Sequence, residues 1–255
     1  MTPILLAELC AFSFLAGFVD SIGGGGGLIQ IPALLIFLPG VAIPTIFGTN
    51  KLASFAGTSV AARQYSRRSL IPWHIVGPTA ATAFVFSFIG SMTVTHVNPS
   101  FMRPFILVLL MATAIYVFFI KDTGLVHRPK HAPGGGFFPG IITGAALGFY
   151  DGFFGPGTGS FLIFIFIGVF GFDFLFASAS SKVVNCGTNL ASILYFGATG
   201  HILYGTALPM AAFNILGSIA GSRLAILKGS AFVRKLFLVV IAALIGKLAY
   251  DLLRK

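Results

Sequence analysis

Apolar segments recur along the chain, and most of them are about as long as a bilayer is thick. They span 4–22, 28–38, 42–63, 71–95 and 102–120 in the first half, and 137–153, 159–172, 174–197, 203–225 and 232–250 in the second. A helix needs roughly 20 apolar residues to cross the hydrocarbon core, whereas a barrel strand needs about 10. The pattern therefore predicts an all-α, polytopic membrane protein.

Composition excludes the main soluble alternatives. The chain is 56% apolar and 9% charged, whereas soluble domains are roughly 45–50% apolar and 25% charged. Its mean hydropathy is +0.97. A soluble fold of this composition would expose large apolar areas to water. A soluble enzyme, a disordered chain and a coiled coil are thus excluded, and the function is expected inside the bilayer.

The net charge of +10 has a topological explanation. Lysine and arginine gather at the ends of apolar segments rather than on one face, so no nucleic-acid partner is predicted. Cys10 and Cys186 lie in apolar segments and have no metal or disulfide spacing, and no cofactor is predicted. The first apolar run carries Glu8 and lacks a basic leader, which favours a retained helix over a signal peptide.

The chain contains an internal duplication. Asp20 and Asp151 are 131 positions apart. The same offset aligns further glycine, lysine, proline, serine and arginine residues: Gly24 with Gly155, Gly26 with Gly157, Lys51 with Lys182, Pro78 with Pro209, Ser87 with Ser218, Gly90-Ser91 with Gly221-Ser222, and Arg103 with Arg234. Chance rarely aligns an acid, a lysine and an arginine in one register of so apolar a chain. We predict a first transmembrane repeat over 1–120, a cytoplasmic linker over 121–136 and a second repeat over 137–255.

Basic residues are distributed oppositely in the two halves. The first half carries them between its third and fourth segments, and the second half after its fourth: Arg63, Arg67 and Arg68, against Lys228, Arg234 and Lys235. The linker is also basic, and basic loops stay in the cytoplasm. This predicts two inverted repeats of about 4–5 helical segments, a common construction of secondary transporters. Arg254 and Lys255 are the contrary signal, because this topology places them outside.

Glycine-rich motifs interrupt both halves at matched positions. They read Asp20-Ser-Ile-Gly-Gly-Gly-Gly-Gly27 and Asp151-Gly-Phe-Phe-Gly-Pro-Gly-Thr-Gly159. Such runs sustain a helix poorly, and irregular backbone at membrane depth needs protein or a water-filled cavity around it. We predict a helix broken at each motif, with a new N-terminus near Leu28 or Ser160 that suits an anion. The alternative is that these glycines only let helices approach closely. A further glycine repeat, at 136, 140, 144, 148 and 152, favours packing within the chain over a dimer face, and a homodimer stays possible.

Two lysines lie within apolar surroundings, in Gly48-Thr-Asn-Lys-Leu-Ala-Ser54 and Ser178-Ala-Ser-Ser-Lys-Val-Val-Asn185. A lysine near the bilayer centre costs about 2.5–3.5 kcal/mol, so two equivalent ones suggest a polar cavity between the halves. The candidate substrate-binding residues are Lys51, Lys182, Asn50, Thr49, Ser180, Ser181, Asn185, Gly24, Gly26, Gly155, Gly157 and Thr158. The lysines can instead snorkel to an interface or pair with Asp20 or Asp151. Those two acids are candidate coupling or gating residues.

These motifs resemble the TauE/SafE sulfite exporter family. The resemblance rests on Asp-x-x-x-Gly-x-Gly followed by Gly-Thr-Asn-Lys-Leu-Ala-Ser, and on the second-half glycine motif, and covers about residues 10–250. It implies a bacterial or archaeal cytoplasmic membrane protein with duplicated helical halves. It also implies transport, often outward, of sulfite, sulfoacetate or other organosulfonates. The five-glycine run is longer than the usual form of the motif.

The sequence thus predicts a secondary transporter whose partners are a small anionic substrate and membrane lipid. The alternatives are an anion channel or a carrier for another small organic anion. An intramembrane enzyme is a distant alternative, since it would need a nucleophile and base such as Ser160 and His201, and no catalytic motif accompanies them.

Overall fold

The computed structural model of the protein describes residues 2–67, 71–98 and 135–253, with positions 108, 112, 128 and 130; beyond residue 228 it describes backbone alone. Eight helices lie within these ranges, and no strand does: α1 Pro3–Gly23, α2 Gly27–Phe37, α3 Ile43–Ser66, α4 Trp73–Thr95, α5 Phe137–Phe153, α6 Thr158–Gly168, α7 Phe174–Ala198 and α8 Tyr204–Leu253. The predicted segment 102–120 and the linker 121–136 lie largely outside the described residues, as do Arg254 and Lys255. The proposed division into repeats therefore stays a prediction.

Three helices have the length and apolar composition to cross a membrane. They are Pro3–Gly23, Trp73–Thr95 and Tyr204–Lys228. At 1.5 Å per residue each is about 31–38 Å long, which matches the hydrocarbon core. The described chain is therefore a multi-pass membrane protein.

Helices α2 and α6 are too short to cross the bilayer. Each has 11 residues, or about 16 Å of helix. Helix α2 returns along α1, because the ring of Phe37 at its end lies 5.8 Å from that of Phe12. Helix α6 likewise returns along α5, because a Cβ on Gly136 would lie 3.5 Å from the ring of Phe170. Each half thus contains a helical hairpin whose tip is its glycine motif.

Contacts along α1 and α8 show that these two helices run in the same direction. The Ser13 hydroxyl donates to the Met210 carbonyl at 2.7 Å. Further along both helices, Gly221 packs against Phe18. Helices α3 and α8 also run parallel to each other. Helix α4 runs parallel to α5 and to α7.

Helices α3 and α7 run in opposite directions where they meet between the halves. Ser59 on α3 lies 3.7 Å from the Cys186 sulfur, whereas Gly48, earlier on α3, contacts Phe196, later on α7. The described bundle therefore contains two sets of parallel helices. Helices α1, α3 and α8 point one way, and α4, α5 and α7 point the other way.

The glycine repeat of α5 packs within the chain. Gly140 and Gly144 lie against Thr79 on α4, and Gly152 lies against the Ser87 backbone. Added side chains would clash there, because the two backbones approach as closely as small residues permit. Helix α4 thus covers the glycine repeat, which is not available as a dimer face. A homodimer stays a prediction.

The end of the chain differs from the expected pattern. The segments 203–225 and 232–250 form one continuous helix, Tyr204–Leu253, of 50 residues. The sequence between them carries a single glycine, Gly229, and no proline, so nothing forces the backbone hydrogen bonds to stop. Its candidate span, Tyr204–Lys228, takes up only the first half.

Asn214 forms a buried polar junction between α1, α2 and α8. Its Nδ2 donates to the Ser13 carbonyl at 3.1 Å and to Gln30 Oε1 at 3.1 Å. Asn214→Ala is expected to lower the free energy of unfolding by about 1–2 kcal/mol, since interhelical hydrogen bonds have this magnitude. The thermal unfolding midpoint in detergent measures it. Ser66→Ala, which removes an exposed bond within one helix, is the control, and equal midpoints for both variants would contradict the assignment.

Candidate functional site

Two buried ion pairs join the halves of the protein. Lys51 Nζ lies 2.6 Å from Asp151 Oδ2, and Lys182 Nζ lies 2.9 Å from Asp20 Oδ2. Each lysine pairs with the aspartate that precedes the glycine motif of the other half. The pairs are thus equivalent under the 131-residue offset, and they hold the halves together at one level of the bundle.

Helix geometry brings the ion pairs together. The aspartates lie in the last turn of α1 and of α5, next to the hairpin tips, and the lysines lie on α3 and α7. The pairs are strongly shielded from solvent, with side-chain exposures of 3% for both Lys51 and Asp151, and of 0% for Lys182 and 15% for Asp20. In so dry a setting each charge needs its partner.

A small polar cavity lies between the hairpin tips. Its volume is about 30 Å³, the space of roughly one water molecule. Its lining comes from both halves: Asp20, Gly25, Gly27, Asn50, Lys51, Ser54, Asp151, Gly155, Gly157, Gly159, Asn185 and Asn189. The cavity offers cationic, amide and hydroxyl donors beside two carboxylates.

The two hairpin tips touch each other at this cavity. A Cβ on Gly24 would stand 2.5 Å from the Gly159 carbonyl carbon and from the Ser160 nitrogen. Gly24, Gly25, Gly155 and Gly157 also have positive φ angles, between 80° and 92°, which L residues with a Cβ adopt at a cost. Glycine is therefore needed at Gly24 for both its backbone angle and its close contact.

An apolar cluster lies on each side of the cavity. One cluster lies towards the end of α3 and includes Tyr65, Ile75 and Phe166. The other lies towards the start of α3 and includes Phe47 and Phe154. The rings of the last two lie edge to face with centroids 6.4 Å apart. The cavity thus lies between two apolar clusters.

Open pockets lie beyond both apolar clusters. The pocket at the end of α3, of about 590 Å³, is lined by Arg63, Arg67 and Arg223 with Gln64 and apolar residues. The pocket at the opposite end, of about 560 Å³, is lined by residues 42–44 and 94–98 with His201. The arginine-lined pocket makes its face the more basic one.

Seven of the residues predicted from sequence line the cavity together: Asp20, Asp151, Lys51, Asn50, Asn185, Gly155 and Gly157. Asn50 Oδ1 is buried and has no hydrogen-bond partner among the described residues. Lys182 lies behind Asp20 rather than at the cavity wall. Gly24 and Gly26 shape the first hairpin tip, where Gly26 packs against Asp20.

Three of the four remaining predicted hydroxyl residues make other contacts. The Thr49 hydroxyl accepts from the Leu203 amide at 3.1 Å. Ser181 Oγ donates to the Gly159 carbonyl at 3.0 Å, and Thr158 Oγ1 donates to the Gly155 carbonyl at 2.8 Å. Ser180 Oγ is buried and has no partner within the described ranges. The three hydroxyls with partners, those of Thr49, Ser181 and Thr158, support the hairpins and helix contacts around the cavity.

Gln30 and Asn214 are buried polar residues that the sequence prediction did not single out. They join α2 to α8 beside the first hairpin. An amide side chain inside an apolar segment is itself unusual, and this signal could have identified both. Tyr65 was also missed; its hydroxyl donates to the Ser21 carbonyl at 2.8 Å, just after Asp20.

The two side chains considered for an intramembrane enzyme bind different groups. Ser160 Oγ faces the Gly23 carbonyl at 3.5 Å. His201 Nδ1 contacts Thr199 Oγ1 at 2.9 Å, in the loop before α8. Neither contact forms a nucleophile and base.

Long apolar helices around paired charges and a small polar cavity define a multi-pass membrane protein of the transporter class. The chain belongs to the TauE/SafE family: the model described as "Sulfite exporter TauE/SafE" matches residues 9–248. The protein is therefore a membrane transporter.

Curated relatives cover nearly the whole chain. "Probable membrane transporter protein YfcA" of Escherichia coli strain K12 is 34% identical over 251 residues, covering 98% of this chain and 92% of that protein. The "Probable membrane transporter protein" of Haemophilus influenzae is 33% identical over 247 residues, covering 97% and 95%. "Probable membrane transporter protein ORF9" of Sinorhizobium sp. is 36% identical over 247 residues, covering 97% and 93%. No solved structure matches the chain at a significant level.

Proposed function

We propose that the protein is a secondary transporter that exports small sulfur-containing anions such as sulfite, sulfoacetate or other organosulfonates. The observation that carries the proposal is the pair of Lys–Asp bridges that cross between the halves around one cavity. Cations and neutral donors in a dry site are the chemistry that an oxyanion requires. The family description supports sulfur anions as the substrate class.

We propose that the two halves form inverted repeats. Helices α1, α3 and α4 correspond to α5, α7 and α8 under the 131-residue offset. The contacts described above orient each helix of the first set opposite to its counterpart, which supports the inversion. The two hairpins then enter from opposite faces and meet tip to tip, as expected where a substrate binds near the midplane.

The basic end of the bundle is proposed to face the cytoplasm of a bacterium or archaeon. Arg63 and Arg67 at the end of α3, and Arg223 and Lys228 on α8, lie at this end. The Lys130 amide and ammonium both bind carbonyls at the end of α6, on the same face. The excess of cations there fits the positive-inside rule.

Alternating access is the proposed mechanism. An apolar cluster lies on each side of the cavity, and a wide pocket lies beyond each cluster. Opening one cluster at a time would connect the cavity first to the basic pocket and then to the opposite pocket. Because the helix sets of the two halves are equivalent, each opening uses the same contacts in the opposite repeat.

Flux through purified protein in vesicles tests the proposal. We expect saturable, protein-dependent movement of radiolabelled sulfite, sulfoacetate or taurine, with counterflow when unlabelled substrate fills the opposite side. Chloride in place of the sulfur anions is the matched substrate control. Absence of transport for every sulfur oxyanion would remove the substrate claim, and flux without saturation or counterflow would favour a channel that uses the same lysines.

A further inference from the structure

The cavity is electrically neutral before any anion enters. Within the ranges that the structure describes, the four charged side chains at its level are two lysines and two aspartates, already paired. An added anion in so small a space would lack a counter-charge, and an unpaired charge in a dry site is strongly disfavoured. A neutral site of this kind therefore binds an anion more readily when a positive charge, such as a proton, enters with it.

The two aspartates differ in the hydrogen bonds and solvent exposure that each would keep if its lysine moved away. Asp20 Oδ2 also accepts from Thr58 Oγ1 at 3.2 Å, and its side chain is 15% exposed. Asp151 is 3% exposed, and Lys51 is its one side-chain hydrogen-bond partner within the described part of the chain. Asp151 is thus the carboxylate that loses all direct compensation when its lysine turns to another anion.

The Lys51–Asp151 pair also has both members at the cavity wall. The ammonium lies beside the opposite hairpin tip, where a Cβ on Gly155 would stand 3.4 Å from Nζ. Lys182, in contrast, is fully buried behind Asp20. An anion in the cavity therefore meets Lys51 first.

We propose that the transporter moves its anion together with a proton, and that Asp151 is the proton site. This inference rests on the proposed function. In the empty site Lys51 Nζ donates a hydrogen bond to Asp151 Oδ2; when the anion enters, Lys51 Nζ donates to an oxygen of the anion instead. The released Asp151 carboxylate then takes a proton from a hydronium ion, leaving water. The loaded site then has the same net charge as the empty one, so a monovalent anion crosses without net charge movement.

The surroundings of Asp151 make it the group that takes this proton. Lys51 on α3 faces it directly, and Asp20 on α1 and Lys182 on α7 lie across the cavity. Helix α4, which packs along α5, contributes the Ser91 hydroxyl next to Gly152 and no titratable group at this level. Helix α6 contributes none within its bounds. Asp20 keeps its hydrogen bonds from Lys182 and Thr58.

Proton movement is tested in vesicles with methanesulfonate, because a sulfonate does not itself titrate near neutral pH. Labelled methanesulfonate reports anion counterflow, and a trapped pH-sensitive dye reports protons. We expect inward anion flux of the wild type to acidify the lumen with about one proton per anion, from the charge balance of the site. The initial rate should not change when a potassium diffusion potential is imposed.

Asp151→Asn is expected to keep anion counterflow, since Lys51 still binds the anion. It should lower the proton-to-anion ratio about tenfold or more, because an amide takes no proton. Its anion flux should become sensitive to the imposed potential. Glu8→Gln, at an exposed acid on α1, is the matched control and keeps the wild-type ratio.

The outcomes separate the two proposals. Counterflow without acidification in the wild type would overturn proton coupling and leave the proposed transport intact, and this measurement does not depend on any variant folding. An unchanged ratio in Asp151→Asn would overturn the assignment to Asp151. Absence of counterflow for methanesulfonate and for every other sulfur anion would overturn the proposed function and this inference with it.

Discussion

Replacing the Lys51–Asp151 pair by glutamine and asparagine is expected to lower anion flux about 100-fold while the protein still folds and inserts. The double variant removes one cation and one anion together and keeps side chains that can hydrogen-bond to each other. Loss of a charge-assisted contact to a bound anion costs about 2–5 kcal/mol, and about 2.7 kcal/mol corresponds to a factor of 100. Initial rates of labelled sulfite or sulfoacetate uptake in vesicles measure the effect.

The neutral double variant is preferable to single alanine substitutions. Lys51→Ala and Lys182→Ala are also expected to lower flux, but each leaves a carboxylate without its partner. Removing one member of a buried pair destabilises a fold by about 3–5 kcal/mol, so lost flux could then reflect lost structure. The double variant should keep its elution profile and thermal midpoint in detergent close to those of the wild type.

Lys228→Gln is the matched control for this prediction. It removes a lysine from an exposed position of α8, away from the cavity lining. We expect nearly unchanged flux, since exposed charges contribute little. Wild-type flux in the Lys51–Asp151 double variant would show that this pair holds the halves together without binding the anion.

The sequence contained enough information to find the candidate site but not its pairing. Lysine and aspartate inside apolar segments are costly unless they meet a polar cavity, so their chemistry indicated that Lys51, Lys182, Asp20 and Asp151 lie near one another. Pairing across the halves depends on contacts between residues 100 and 162 positions apart. Local patterns carry no information about which of two equivalent aspartates a lysine reaches.

Helix rotation accounts for the predicted residues that do not line the cavity. Thr49, Asn50 and Lys51 are consecutive, but successive residues of a helix point about 100° apart. Asn50 and Lys51 face the cavity, while Thr49 turns to the loop before α8 and accepts from Leu203. A sequence motif contains residues that are adjacent along the chain, whereas the residues of the site are those that lie on one face of the helix.

The boundaries of α8 show a different limit of sequence reasoning. Lys228, followed by Arg234 and Lys235, indicated a loop after residue 225. Charge alone does not end a helix, because the backbone hydrogen bonds continue wherever no proline intervenes and long basic side chains extend to water. The continuous helix Tyr204–Leu253 follows from backbone chemistry that the charge pattern did not reveal.

Gly24→Ala is expected to prevent both stable folding and transport. The added methyl group would stand 2.5 Å from the backbone of Gly159 and Ser160, which cannot rotate away as a side chain can. The residue would also have to hold a φ of 80°. Backbone strain of about 1–2 kcal/mol adds to an overpacking cost of about 1–3 kcal/mol, and separation of the hairpin tips would disrupt the cavity. Thermal unfolding in detergent and sulfite flux in vesicles measure the two losses.

Two other glycines with similar backbone angles separate the strain from the contact. Gly200 has a φ of 73° and no neighbour within 4 Å of an added Cβ among the described residues, and Gly25 has a φ of 90° with only side-chain atoms at 3.5 Å. Gly200→Ala should therefore cost only the strain of about 1–2 kcal/mol and keep flux near that of the wild type. Gly25→Ala should be intermediate, since Leu28 and Ser160 can adjust. If all three variants lost stability equally, backbone angle alone would explain the glycine motif, and direct contact between the hairpin tips would not be what requires glycine at position 24.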